Sequence, residues 1–186
     1  MSPLLVALEG PAAVGKTYHC RAVAEALCRE AITAAWWHSP EPSPGLKDPW
    51  SIALHHASER AALGLRLDSG WHDERVVLCD RWITSTLVHA TAMRHAALGL
   101  LADAEWRVLP KPALTTVLCA PDEVLDARLA SRGETVTEAH REKRRTYRSL
   151  ADLVGGPTFD TSGAPAEVTA RLVEVVRAAL GQGRAS

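Results

Sequence analysis

Residues 10–17 read Gly-Pro-Ala-Ala-Val-Gly-Lys-Thr, an instance of G-x-x-x-x-G-K-[ST], and no other stretch constrains the fold as tightly. The pattern works only between a strand and a helix. Its glycines let backbone N–H groups turn inward around phosphates, and the following helix adds its unpaired first-turn donors and its dipole. Both flanks are present: Leu4–Leu8 is a short apolar run, and a helix is expected over Lys16–Glu30. On this reading Gly10, Pro11, Ala12, Ala13, Val14 and Gly15 form the cradle. Lys16 neutralises the β- and γ-phosphates, and the Thr17 hydroxyl ligates Mg²⁺. The expected ligand is a nucleoside triphosphate, with ATP and Mg²⁺ as donor and metal.

Short apolar runs alternate with longer amphipathic ones along the rest of the chain, the pattern of a parallel α/β sheet. Strands are expected at Leu4–Leu8, Ile32–Trp37, Val76–Cys79, Leu114–Cys119 and Thr158–Phe159. Helices are expected over Lys16–Glu30, Trp50–Leu65, Ile83–Leu98, Asp122–Ser131, Arg141–Val154 and Ala166–Leu180. The fold class is thus a doubly wound, five-stranded parallel sheet flanked by helices. With 186 residues and 47% hydrophobic content, one domain over 1–186 accounts for the chain. A formal charge of −1 gives no basic field for a nucleic-acid polymer or a membrane surface. Leu4–Leu8 is too short for a leader or a span, so a cytoplasmic protein is expected. Cys20, Cys28, Cys79 and Cys119 form no ligand cluster and read as buried, reduced packing thiols. Nor do the eight histidines show metal-ligand spacing.

Two loops follow αβ elements, where such sheets place their chemistry. Ser39–Gly45 carries three prolines and a glycine, with Glu41 among them. The other is Arg132-Gly133-Glu134-Thr135. The third strand ends in Asp80-Arg81-Trp82, a carboxylate placed to serve the metal, directly or through water, and a guanidinium fork suited to phosphate oxygens. After the fourth strand, Arg128 and Arg132 open a charged run that continues through Arg141, Lys143, Arg144, Arg145 and Arg148. The run reads either as a solvated helix face or as a lid, residues 128–141, that brings arginine onto the transferring phosphoryl group.

The order of these features resembles the thymidylate kinases over most of the chain. Glu9-Gly10 with Gly15-Lys16-Thr17 is similar to that family's E-G-x-D-G-x-G-K-[ST], and Glu41-Pro42 to its Arg-Glu-Pro-Gly loop. Arg60 in Ala57-Ser58-Glu59-Arg60 resembles the arginine of its F-A-A-x-R helix, which contacts the base. Asp80-Arg81-Trp82-Ile83-Thr84-Ser85 resembles D-R-Y-x-x-S, and residues 112–124 resemble P-D-L-T-x-x-L-D-x-P-P-E-V. Phe159-Asp160-Thr161-Ser162 is similar to the segment passing near the adenine. The resemblance implies a P-loop fold of the nucleoside monophosphate kinase type, a homodimer, and γ-phosphoryl transfer to a nucleotide. It places Lys16, Asp80, Arg81, Arg132 and Glu41 in the chemistry, and Arg128 with the cradle on ATP. Glu41, His56, Arg60, Arg81, Trp82, Ser85 and His89 fall on the acceptor, and Thr17 and Asp80 on the metal; Trp50, after the proline loop, reads either as a lid on the acceptor or as a staple of its own helix.

The departures cluster on the acceptor side. Ala12 replaces the loop aspartate, Pro40 the arginine before Glu-Pro, His56 the base-stacking phenylalanine, and His89 a tyrosine. Trp82 stands where the family has Tyr or His, and the only Phe lies at 159. The expected acceptor is therefore not plain thymidylate, and Trp50 and Trp82 are the aromatic candidates to line a rebuilt pocket. The Glu-Pro loop also resembles the deoxyribonucleoside kinases, in which the matching glutamate removes a hydroxyl proton. Two alternatives stay open: a kinase acting on a hydroxyl of a nucleoside or natural product, with Glu41 as base, and a nucleotide-binding module without turnover.

Overall fold

The computed structural model describes residues 2–69 and 73–182; His72 and the outermost residues of the expected domain lie outside them. The elements run β1 (Leu4–Glu9), α1 (Lys16–Arg29), β2 (Ala34–His38), α2 (Pro49–Asp68), β3 (Val76–Asp80) and α3 (Ile83–Ala92). They continue with α4 (Ala96–Val108), β4 (Leu114–Cys119), α5 (Asp122–Ala130), α6 (Glu138–Val154), β5 (Thr158–Asp160) and α7 (Pro165–Gln182). The five strands are all parallel, in the order β2-β3-β1-β4-β5. The chain winds out to β2, returns to β3, then crosses β1 to reach β4. The connections leaving β1 and β4 therefore diverge, and the crevice between them at the strands' carboxyl ends is where such sheets bind ligands.

The central strands are apolar because both faces are covered. Val6, Leu8, Val76 and Leu78 pack on Val23 and Leu27 of α1 and on Leu172 and Val176 of α7. The alternate residues Leu5, Ala7, Val77 and Cys79 pack with Leu63 and Leu67 of α2. Helices α3 and α6 meet over β4 through Val88, Val117 and Tyr147. Helix starts follow their caps. Asp48 accepts the Ser51 N–H at 2.9 Å with Pro49 at the first position of α2, and Thr137 with His140 forms a reciprocal cap that opens α6 ahead of Arg141.

Three sequence expectations need correction. The helix expected over Ile83–Leu98 is two helices. Arg94 takes φ 49°, the His95 N–H returns to Ala90 O at 3.0 Å, and His95 Nδ1 accepts from Leu98 N, so a new helix begins at Ala96 and runs to Val108. No glycine or proline marks that corner. Strand β2 starts at Ala34 because the Ile32 N–H bonds back to Leu27 O at 3.1 Å and finishes α1. Cys28 is exposed; Cys20 and Cys79 are buried, Cys119 is half-buried, and all four are free. Among the described residues, no helix is long and apolar enough to cross a membrane.

Candidate functional site

Between β1 and α1 the backbone takes three left-handed turns in succession: Gly10 (φ 144°), Ala13 (φ 63°) and Gly15 (φ 95°). At Gly10 a side chain is excluded twice, by φ and because a Cβ would lie 2.4 Å from Leu118 O. Gly15 is the N-cap of α1, with no side-chain cap and no acid in the first turn, so the helix's first N–H groups are left to an outside acceptor. Lys16 is buried and donates to Pro11 O at 2.7 Å. Burial, then the neighbouring Arg81 charge, lowers its pKa from 10.5 to about 7. The negative charge of a phosphate set in this concavity would favour the ammonium and oppose that shift.

Asp80 ends β3 in register with Leu8 of β1 and His38 of β2. Its Oδ2 accepts from the Thr17 hydroxyl, while Oδ1 is buried with no partner. A hydroxyl and a carboxylate with one open oxygen are hard donors that suit Mg²⁺. Among the described residues no group of three or more His, Cys, Asp and Glu could hold an ion, so phosphate oxygens and water would complete the shell.

Arg81 follows with φ 75°, a conformation costing a non-glycine residue about 1 kcal/mol or more and typical of functional sites. Its Nη1 donates to Gly10 O (3.1 Å), Ser85 Oγ (3.2 Å) and Tyr147 OH (2.9 Å). Behind it the buried Glu9 accepts from the Trp82 N–H and the Ser85 hydroxyl, each at 2.7 Å, and from the Tyr147 hydroxyl at 3.2 Å. Burial pushes the Glu9 carboxyl above its ordinary range against these contacts. Glu9 and Tyr147 thus fix the arginine, and the Ser85 hydroxyl is largely spent in holding it.

A cavity of about 290 Å³ opens beside Asp80, at the carboxyl ends of β2 and β3. Glu41, His56, Arg60, Arg81, Ser85 and His89, all expected at the acceptor, line it, joined by His38, Ser39, Thr86 and Lys143. Two of its histidines, His56 and His89, are held well below the ordinary imidazole range. Burial first, with Arg60 next, lowers His56 to about 4; burial, then Lys143 and Arg81, lowers His89 to about 3. His56 Nδ1 is 2.7 Å from Ser39 Oγ, which orients the ring. A smaller pocket of about 80 Å³ shares Arg81, His89 and Lys143 with this cavity and reaches Pro11 and Ala12 of the cradle.

Three expected contacts are placed differently, and a fourth, Arg60, is engaged elsewhere. Trp82 is 1% exposed, donates from Nε1 to Pro110 O at 3.1 Å and meets Trp37 edge-on at 6.1 Å. Its large apolar surface closes the core under α2 rather than facing an acceptor. Trp50 stacks on His95 (6.4 Å between centroids, 3° between planes) at the corner of α3 and α4, and does not line the cavity. Arg132 is exposed in the turn after α5 and lines neither cavity; Arg128 is held on Thr161 O at 2.6 Å beside Ala13 O, on the cradle side. Arg60 does reach the cavity wall, but its guanidinium is bound to Glu105 (2.6 Å) and Thr86 (2.7 Å) in a buried ion pair.

Sequence reasoning missed Glu105, Tyr147 and Lys143 as site residues. Glu105 lies in the helix segment past the expected helix end. Lys143 and Tyr147 share one face of α6 at i and i+4, a spacing hidden among the arginines around them. No protein-family model matches the chain. No curated protein matches it significantly.

Proposed function

We propose that this protein is an ATP- and Mg²⁺-dependent kinase that transfers the γ-phosphoryl group to a small anionic acceptor, a nucleotide other than plain thymidylate. The observation that carries the reading is the joint between the two halves of the site. Arg81 bonds to Gly10 of the cradle and lines the cavity, and neither it nor Lys143 has a carboxylate bonded to it among the described residues. Arg81 feels the Asp80 and Glu9 charges without bonding to either, so a guanidinium and an ammonium face a partly desolvated cavity with donors to offer an anion.

In this reading the cradle and Lys16 hold the triphosphate, and Thr17 and Asp80 hold the metal, which when bound neutralises phosphate charge. An anionic oxygen of the acceptor attacks the γ-phosphorus in line. As that O–P bond forms, the bond from phosphorus to the β,γ-bridging oxygen breaks and ADP leaves with the electron pair. The acceptor oxygen carries no proton, so no base is needed. Glu41 on the cavity rim favours a second reading, in which the acceptor is a hydroxyl and Glu41 takes its proton as the O–P bond forms.

The test is Mg²⁺-dependent ADP release with ATP and a nucleotide panel. Lys16→Ala is expected to lower turnover by about a thousandfold, the loss of roughly 4 kcal/mol of charge stabilisation, with the fold retained. Full activity in that variant contradicts the reading.

A further inference from the structure

We propose that helix α6, through Lys143, forms the anion site for the phosphoryl group in transit, the task that sequence reasoning gives to Arg128 and Arg132. The inference rests on the kinase reading above and assigns that site its principal lid-side cation. Both cavities meet at Lys143, which sits over the joint where the smaller pocket touches Pro11 and Ala12. Its position is rigid rather than incidental. Tyr147, one turn on along the same face, is buried and bonded to Arg81, Ser85 and Glu9.

Lys143 bonds to no carboxylate among the described residues, whereas Arg141 and Arg145 on the same helix are paired with Glu138. Burial, then the Arg81 charge, pulls its ammonium below the ordinary lysine range, so an oxyanion between the two cations favours its charged form. Arg144 lines the same small pocket. Arg144 is 2% exposed, one arm bonds Asp126 at 2.6 Å, and Nη2 is buried with no partner. The ligand class is a tetrahedral or trigonal phosphoryl oxyanion. Lys143 supplies a point charge, Arg81 a planar fork.

The test uses the full chain, Mg²⁺-ADP and aluminium fluoride as the phosphoryl mimic, with calorimetry as readout. In the wild type aluminium fluoride is expected to tighten ADP binding by at least about tenfold, or 1.4 kcal/mol. Lys143→Met is expected to bind ADP alone as the wild type does but to lose that tightening, and Lys143→Arg to keep most of it. A merely structural lysine would shift ADP binding and the tightening together. Tightening retained in Lys143→Met, or absent from the wild type, overturns the inference and leaves the kinase reading standing. No ADP binding by the wild type overturns the kinase reading itself.

Discussion

The two halves of the candidate site, the proposed donor cradle and the proposed acceptor cavity, are built by opposite strategies. The cradle is one continuous segment, residues 10–17, whose geometry comes from local backbone: two glycines and an alanine with positive φ, and a helix start without a cap. The proposed acceptor cavity is assembled from β2, its following loop, α2, β3, α3 and α6, elements up to about a hundred residues apart, and several of its polar groups are held by others, among them Ser39 with His56 and Arg60 with Glu105 and Thr86. A local motif tolerates drift elsewhere in the chain. An assembled cavity changes character whenever one supporting residue changes.

The sharpest way to break that contrast is Glu105→Ala. Glu105 holds Arg60 in a buried pair, and removing one partner strands a charge, so a loss of about 3–5 kcal/mol in denaturant unfolding is expected. Conditions that keep the variant folded should leave Mg²⁺-ADP affinity near the wild-type value, because Glu105 touches nothing in the cradle. An equal loss of ADP binding would mean that the two halves are not separable.

A smaller effect isolates the donor half. Lys16 has a lowered pKa of about 7 in the free protein, against 10.5 ordinarily, so above pH 7 it is increasingly neutral. A bound triphosphate favours the charged form. Binding should therefore take up about one proton at pH 8 and proportionately less below pH 7, with affinity weakening as pH rises between those limits. Calorimetry in buffers of different ionisation enthalpy measures this. The uptake should vanish in Lys16→Met; an unchanged uptake would assign the proton elsewhere.

What could be read from the sequence follows the same division. The five strands and their parallel order class are visible in apolar runs, because buried parallel strands have few polar positions. The turn at Gly10–Thr17 and the place of Asp80 at a strand end are legible because they depend on local spacing and on where an apolar run stops. The corner at Arg94 was not visible, since a non-glycine residue carries the positive φ there and its cap is a histidine. Trp50 and Trp82 read as pocket aromatics because sequence cannot tell which face an indole presents. Packing assigns one to His95 and the other to the core. Lys143 was indistinguishable from Arg141 and Arg145 until tertiary contacts separated the paired cations from the one left without a carboxylate.

The central claim is phosphoryl transfer from a local donor cradle to an anionic acceptor in the assembled cavity. The most direct measurement is ADP release from Mg²⁺-ATP with nucleoside monophosphates set against their parent nucleosides, in the wild type and in Glu41→Gln. The account predicts acceptor-dependent release with a monophosphate, changed less than about threefold by Glu41→Gln because no proton has to be removed. Release with nucleosides alone, lost in Glu41→Gln, or ATP binding with no acceptor-dependent release from either set, would contradict it.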